Sequence, residues 1–337
     1  MKRFAMITAL FAAQTLSTHA DTLPGYDSFD LFAAHRARPI AASIWYPAAG
    51  PTYRASIGDG PIFEPVKAFI GPEVASGRHP LVLLSHGSGG NAQTLGWLTM
   101  GLVAKGAIVL AVNHPGSTSG DSSPRRSADL ASRAMDLRAA LDSVLADPAF
   151  ASHVDESHIG AVGFSLGGAT VLGMAGLRFD GAAQDEACRT GPEAADCAFF
   201  HKGGVRFADY PGFSQAMDDE RITRTVAIDP GFGGAVTQDS LADVTSQIML
   251  INLGAESRMP AVDLSRKGNN LAGRLSEVDY EVIEPANHFT FLGLCKPTAI
   301  AHLEEEDEDP ICSDPEGADR QLVHDRLIEG IATGLGL

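Results

Sequence analysis

Hydrophobic positions along the chain follow two periods. "LVLL" (81–84), "AIVLAV" (107–112) and "IGAVGF" (159–164) are short runs of apolar or small residues bounded by glycine, proline or polar residues. Such runs read as strands buried on both faces of a sheet. Helical patterns lie between them. From Ser127 to Ala146, the positions Leu130, Ala134, Leu137, Leu141 and Val144 recur at spacings of three and four, the mark of an amphipathic helix. Residues 91–106, the segment after Ser165, and a last stretch from about Asp319 to Leu335 also read as helices. Further strands are expected in "YDSFDLF", "RPIAASIWYP", "TRTVAID", "SQIMLINLGAE" and "VDYEVIEPANH".

Strands alternating with helices imply an α/β fold: a mostly parallel central sheet with helices on both faces. Residues 48–66 are rich in glycine and proline and read as a loop. Residues from about Arg178 to Arg224 break the rhythm and read as an insertion after the Ser165 helix, a partial lid. With no internal repeat and no linker, one domain over 21–337 is the expectation.

The first twenty residues change this picture. "MKRFAMITALFAAQTLSTHA" has Lys2 and Arg3, an apolar run, then small residues to Ala20, the layout of a secretory signal peptide. Cleavage near Ala20 would leave a periplasmic or secreted protein. No later stretch reaches the length of a membrane-spanning helix, so stable membrane insertion is not expected. The formal charge of −17 becomes −19 once Lys2 and Arg3 are removed. So acidic a chain repels nucleic acid, which excludes it as a partner.

All four cysteines, Cys188, Cys197, Cys295 and Cys312, follow that leader, and an even number in an exported chain suggests two disulfides. Three pairings exist. The local ones, Cys188–Cys197 and Cys295–Cys312, are favoured because each brackets a polar loop. No C-x-x-C or H-E-x-x-H occurs, so no zinc site is expected. The acidic run "EEEDED" (304–309) has calcium-binding chemistry, but such runs are more often solvated loops.

Ser165 is the candidate for chemistry. It sits where the strand "IGAVGF" turns into the helix "LGGATVLGMAGL", within G-x-S-x-G: Gly163, Phe164, Ser165, Leu166, Gly167. The ligand crevice of a parallel α/β sheet lies at the carboxyl ends of its strands, where this serine falls. A helix N-terminus beside it offers free N–H groups and partial positive charge.

Here the chain resembles the α/β-hydrolase superfamily, and within it the dienelactone-hydrolase-like proteins and platelet-activating-factor-acetylhydrolase-like esterases. The resemblance is carried by "SIWYP", "LLSHGSGG", "NHPGSTSGD", "VGFSLGGAT", "AIDPG" and "NHFTFL", in order from Ser43 to Leu292. Dienelactone hydrolases use a cysteine nucleophile where this chain has Ser165. The resemblance implies the order serine, acid, histidine. Four histidines follow Ser165: His201, His288, His302 and His324. Only His288 directly follows a strand, which puts it on the edge that carries Ser165. The expected acid is Asp229, ending "TVAID"; Glu256 and Asp263, in the next loop, remain alternatives, and Arg258 stands where that loop would usually carry an aspartate. Oxyanion donors are expected from the backbone N–H of Leu166 and, by the resemblance, of Ser88. His86 and His114 read as braces of their turns. Trp97, Phe164, Phe232 and Phe289 are candidate pocket walls.

The implied activity is a serine hydrolase that cleaves small-molecule carboxylic esters through an acyl-enzyme, with no metal or organic cofactor. Lactonase, amidase and phospholipid-type acyl hydrolase use the same three side chains. A non-catalytic binding protein on a hydrolase scaffold is the alternative of another class.

Overall fold

Alternate residues of the central strands serve opposite faces of the sheet. In β5 (His79–Ser85), Leu81 and Leu83 belong to one buried apolar cluster, and Val82 and Leu84 to another. In β6 (Ile108–Asn113), Ile108, Leu110 and Val112 join the first cluster, and Val109 and Ala111 the second. This is why these strands read as continuous apolar runs: both sides are covered. The computed structural model describes residues 23–191 and 195–337, so the expected leader over residues 1–20 lies outside the described residues.

The remaining strands are β1 (Gly25–Leu31), β2 (Ile40–Tyr46), β3 (Tyr53–Ile57), β4 (Val66–Ile70), a small hairpin of β7 (Ser117–Thr118) and β8 (Asp121–Ser122), β9 (Val154–Phe164), β10 (Ile222–Ile228), β11 (Gln247–Leu253) and β12 (Val278–Ile283). Among the described residues, one sheet runs in the order β12-β11-β10-β9-β5-β6-β2-β1-β4-β3. The six strands from β12 to β6 are mutually parallel, whereas β2 is antiparallel to both β6 and β1.

The helices are α1 (Gly96–Ala104), α2 (Pro124–Ser127), α3 (Leu130–Ala146), α4 (Leu166–Met174), α5 (Gly181–Thr190), α6 (Ala195–Lys202), α7 (Pro211–Ser214), α8 (Leu271–Arg274), α9 (Ala299–Glu305) and α10 (Arg320–Leu335). Helices α3 and α4 supply the first cluster, whereas α1 and α10 supply the second. Asp129 and Asp319 start α3 and α10 by accepting hydrogen bonds from backbone N–H groups of the first turn.

One expectation needs correction. Residues 48–66 are not simply a loop: β3 and β4 lengthen the sheet at its edge, pairing antiparallel with each other. Half of their residues are exposed and few are buried, so the apolar signal is faint. Residues 178–224 carry helices of their own. They fold as α5, α6 and α7 around a cluster of rings, Phe179, Phe200, Phe207, Phe213 and Phe232, packed edge-on or tilted with neighbouring centres 4.8–6.5 Å apart. Both local disulfides, Cys188–Cys197 and Cys295–Cys312, are present.

Candidate active site

β9 ends at Phe164 and α4 begins at Leu166, leaving Ser165 to make the corner alone. Its backbone has φ 55° and ψ −119°, outside the basins of ordinary L-residues. The corner closes because its neighbours carry no β-carbon. One on Gly163 would sit 2.1 Å from the carbonyl oxygen of Gly167, and one on Gly167 would sit 2.0 Å from that of Ser85. Ser165 N–H donates to the carbonyl of Ile228 at 2.9 Å, and Gly231 N–H donates to the carbonyl of Ser165 at 3.1 Å. The hydroxyl makes no capping bond to α4.

That hydroxyl lies 3.2 Å from His288 Nε2. His288 opens a 3-10 turn (His288–Phe291) after β12, capped reciprocally by Asn287 and Thr290. Thr290 also donates to Asp314 at 2.7 Å, and Asp314 is gripped by the Arg320 guanidinium. The imidazole leans on the Phe164 ring, with centroids 4.5 Å apart. Its Nδ1 faces Asp229 Oδ2 at 3.0 Å, so Nδ1 carries the proton and Nε2 turns its lone pair to the hydroxyl.

Asp229 is fully buried just past β10, with φ 42°. Its other oxygen accepts from Leu253 N–H at 2.9 Å and from Asn252 Nδ2 at 2.8 Å. Asn252 went unrecognised in the sequence. It is buried in β11, donates also to Val262 O, and accepts from Leu264 N–H and the Tyr280 hydroxyl. One polar residue inside the apolar run "IMLINL" was the available signal.

The alternatives are placed elsewhere. Glu256 is exposed. Asp263 is held by Arg258 at 2.7 Å, and although burial opposes it, that contact and the bonds to Ser265 keep its carboxyl below the usual range. His201 is exposed. His324 is buried and stacked flat on Trp97 at 3.8 Å. Trp97 is thereby committed behind the site and is absent from the cavity walls.

The cavity beside Ser165 has a volume of about 810 Å³. Phe164, Phe232 and Phe289 line it, as do Ile62, Phe63, Phe199, Phe200, Leu303 and Ile311, none of which stood out in the sequence. Phe199 and Phe200 come from α6, inside the segment expected as an insertion, and Leu303 and Ile311 from the loop that Cys295–Cys312 closes. His302 and the acidic side chains Glu306, Glu308 and Asp309 reach it from the same loop. Among the described residues, no group of three or more His, Cys, Asp or Glu side chains could hold a metal ion. No helix there is long and apolar enough to cross a membrane.

Ser88 and Leu166 both line the cavity, and neither backbone N–H has an intramolecular acceptor among the described residues. Ser88 belongs to the turn after β5. There His86 Nδ1–H donates to Gly87 O at 2.7 Å, and His86 Nε2 accepts from His114 N–H at 3.2 Å. Burial, with Arg133 and His114 close by, pushes the His86 imidazole well below its ordinary range, so the ring is neutral.

A second serine–histidine–aspartate row lies behind this turn. Ser85 Oγ is 3.0 Å from His114 Nε2, and His114 Nδ1 is 2.9 Å from Asp136 Oδ2. All three are fully buried, whereas Ser165 opens to the cavity. The Ser85 hydroxyl is further occupied by Arg133 Nη2 at 3.2 Å. Burial and Arg133 bring His114 down to about 3. Burial alone would raise Asp136, but hydrogen bonds from His114, His35 and Arg36 outweigh it and hold the carboxyl far below its usual range. No substrate can reach this row.

A model of the alpha/beta hydrolase family matches residues 81–301. No curated protein matches the chain. Among solved structures, a ferulic acid esterase from Streptomyces cinnamoneus is 17% identical over 93% of this chain and 90% of that one, with a TM-score of 0.56, a likeness of fold. A dienelactone hydrolase from Anabaena variabilis is 14% identical over 85% of this chain and 95% of that one, at a TM-score of 0.46. An acylaminoacyl peptidase from Pyrococcus horikoshii is 10% identical over 90% of this chain and 44% of that one, at 0.46.

Proposed function

The chain belongs to the alpha/beta hydrolase family, and on that premise we propose that it is a serine hydrolase cleaving carboxylic esters through an acyl-enzyme. The observation that carries this reading is the unbroken row at the cavity: Asp229 Oδ2 to His288 Nδ1 at 3.0 Å, and His288 Nε2 to Ser165 Oγ at 3.2 Å. A serine hydroxyl is a weak nucleophile at neutral pH and needs a base in contact and a group that orients that base. In this reading Ser165 Oγ attacks the ester carbonyl while His288 takes its proton. Asp229 holds the imidazole in the required tautomer and stabilises its charged form. His288 then protonates the leaving alcohol, and afterwards activates the water that releases the acid.

The negative oxygen of the tetrahedral intermediate meets the N–H groups of Leu166 and Ser88, with the N-terminus of α4 behind it. Apolar walls supplied by Ile62, Phe63, Phe200 and Phe289 favour an ester with an apolar acyl or alcohol group. The reading includes export and removal of residues 1–20, supported by two disulfides of the kind that persist in oxidising compartments. It also includes a single domain in which residues 178–224 are an insertion roofing the cavity.

Ser165→Ala is expected to abolish turnover of p-nitrophenyl butyrate with the circular dichroism spectrum unchanged. Undiminished turnover in that variant would overturn the proposal. A parallel series of an ester, a lactone and an anilide ranks the bond types.

A further inference from the structure

Arg133 has no part in the proposed reaction, yet its placement is costly. It lies on α3 and is 1% exposed. Among the described residues, no carboxylate lies within ion-pair distance of it. Burial is unfavourable enough to the cation to bring it down to about 9. Apolar side chains fill such space at no loss of stability in many proteins, so packing alone is a poor reason for a buried charge.

Its hydrogen bonds give another reason. Nη2 donates to the His86 carbonyl at 2.5 Å and to Ser85 Oγ at 3.2 Å. Nη1 donates to Ser117 Oγ, and the Ser117 carbonyl accepts the N–H of Gly89 at 2.9 Å. The turn carrying Ser88 is therefore held on both sides. Nε donates to Thr170 Oγ1 at 2.9 Å, and the Thr170 hydroxyl in turn donates to the Leu166 carbonyl at 3.0 Å. One rigid, planar group thus ties the turn that carries Ser88 N–H to the first turn of α4, which carries Leu166 N–H.

Between these ties, His86 finishes the orientation. It draws the Gly87 carbonyl inward at 2.7 Å. In a trans peptide the C=O and N–H point in opposite directions, so the Ser88 N–H of the same plane points outward, to the cavity. Arg133 fixes the separation of the two elements, and His86 fixes the direction of one donor.

We infer that Arg133 is a positioning residue that sets the spacing of the two oxyanion donors, Ser88 N–H and Leu166 N–H. The inference rests on the serine-hydrolase reading. Losing a single oxyanion donor lowers kcat by about 10²–10³, and a misplacement of about 1 Å in a reacting geometry can cost about 10²-fold. Arg133→Met is expected to lower kcat about 100-fold with KM within about threefold of wild type. Binding of a trifluoromethyl ketone, which places an oxyanion between the two donors, should weaken in the same proportion.

Thr170→Val removes only the α4 side of the tie and should lower kcat about tenfold. The double variant should be no slower than Arg133→Met alone, because both changes cut one linkage. Should Arg133→Met fail to fold, Thr170→Val and the inhibitor decide. Wild-type kcat in Thr170→Val or in folded Arg133→Met, or a loss confined to KM, would overturn the inference. Inactive wild-type protein, or an active Ser165→Ala, would instead overturn the hydrolase reading on which it stands.

Discussion

Ser165 holds a backbone conformation that a residue with a β-carbon adopts only under strain. Such positions cost about 1–3 kcal/mol. Ser165→Gly removes the β-carbon and the strain with it. Ser165→Ala removes the hydroxyl and keeps the strain. Glycine also gives the unfolded chain more freedom, which offsets about 0.5–1 kcal/mol. The glycine variant should therefore be more stable than the alanine variant by about 0.5–2 kcal/mol. For a chain of this length the unfolding entropy is about 0.7 kcal/mol/K, so the difference is about 1–3 °C in Tm. Urea denaturation at pH 7.5 resolves this if both variants and the wild type unfold with one slope. Both variants should be inactive on p-nitrophenyl esters. Equal stability of the two, or a glycine variant less stable than the alanine one, would show that the corner stores no strain and that its geometry is not maintained for reactivity.

Acid should destabilise the protein through buried histidines. Burial lowers His324 to about 4 and His114 to about 3, and holds His86 well below its ordinary range. Unfolded histidines titrate near pH 6.5, so from about pH 6.5 down to about pH 4 the unfolded chain binds protons that the folded chain refuses, and stability falls with pH. Three such groups give a slope of about 4 kcal/mol per pH unit. Urea midpoints at pH 7.5, 6 and 5 measure it; His324→Gln should lower the slope by about a third, and a flat profile would contradict the assignment of neutral rings. Asp229→Asn keeps the shape but favours the wrong imidazole tautomer, and should lower kcat about 10⁴-fold with KM little changed, as steady-state kinetics will report. Replacing both Cys295 and Cys312 by alanine should cost about 3 kcal/mol of stability in urea and raise KM for bulky esters, because the loop they close supplies cavity wall.

The centre of the fold was legible because its strands are covered on both faces, so β5, β6 and β9 appear as apolar runs with sharp ends. Edge strands carry no such signal. Half of the residues of β3 and β4 are exposed, and their pairing depends on a partner across a glycine- and proline-rich bend. The phenylalanines of 178–224 are irregularly spaced, and only the tertiary fold gathers them into one cluster. Ser165, Asp229 and His288 could be nominated from strand ends, since a parallel sheet collects those ends on one rim. Their mutual distances could not be read from spacing. Buried polar side chains were the least visible. Arg133 falls three residues after Leu130 and four before Leu137, on the apolar stripe of its helix, and that misplaced charge was the one sign of a role. Trp97 shows the converse: an aromatic near the right turn that packs behind the site instead of facing it.

The most direct test is to expose the folded protein to a fluorophosphonate and map the adduct by tandem mass spectrometry while following ester turnover. A single adduct on Ser165, formed in proportion to the activity lost and absent from Ser165→Ala, is the expected result. An adduct on Ser85, no adduct on the folded protein, or labelling that leaves turnover intact would contradict it.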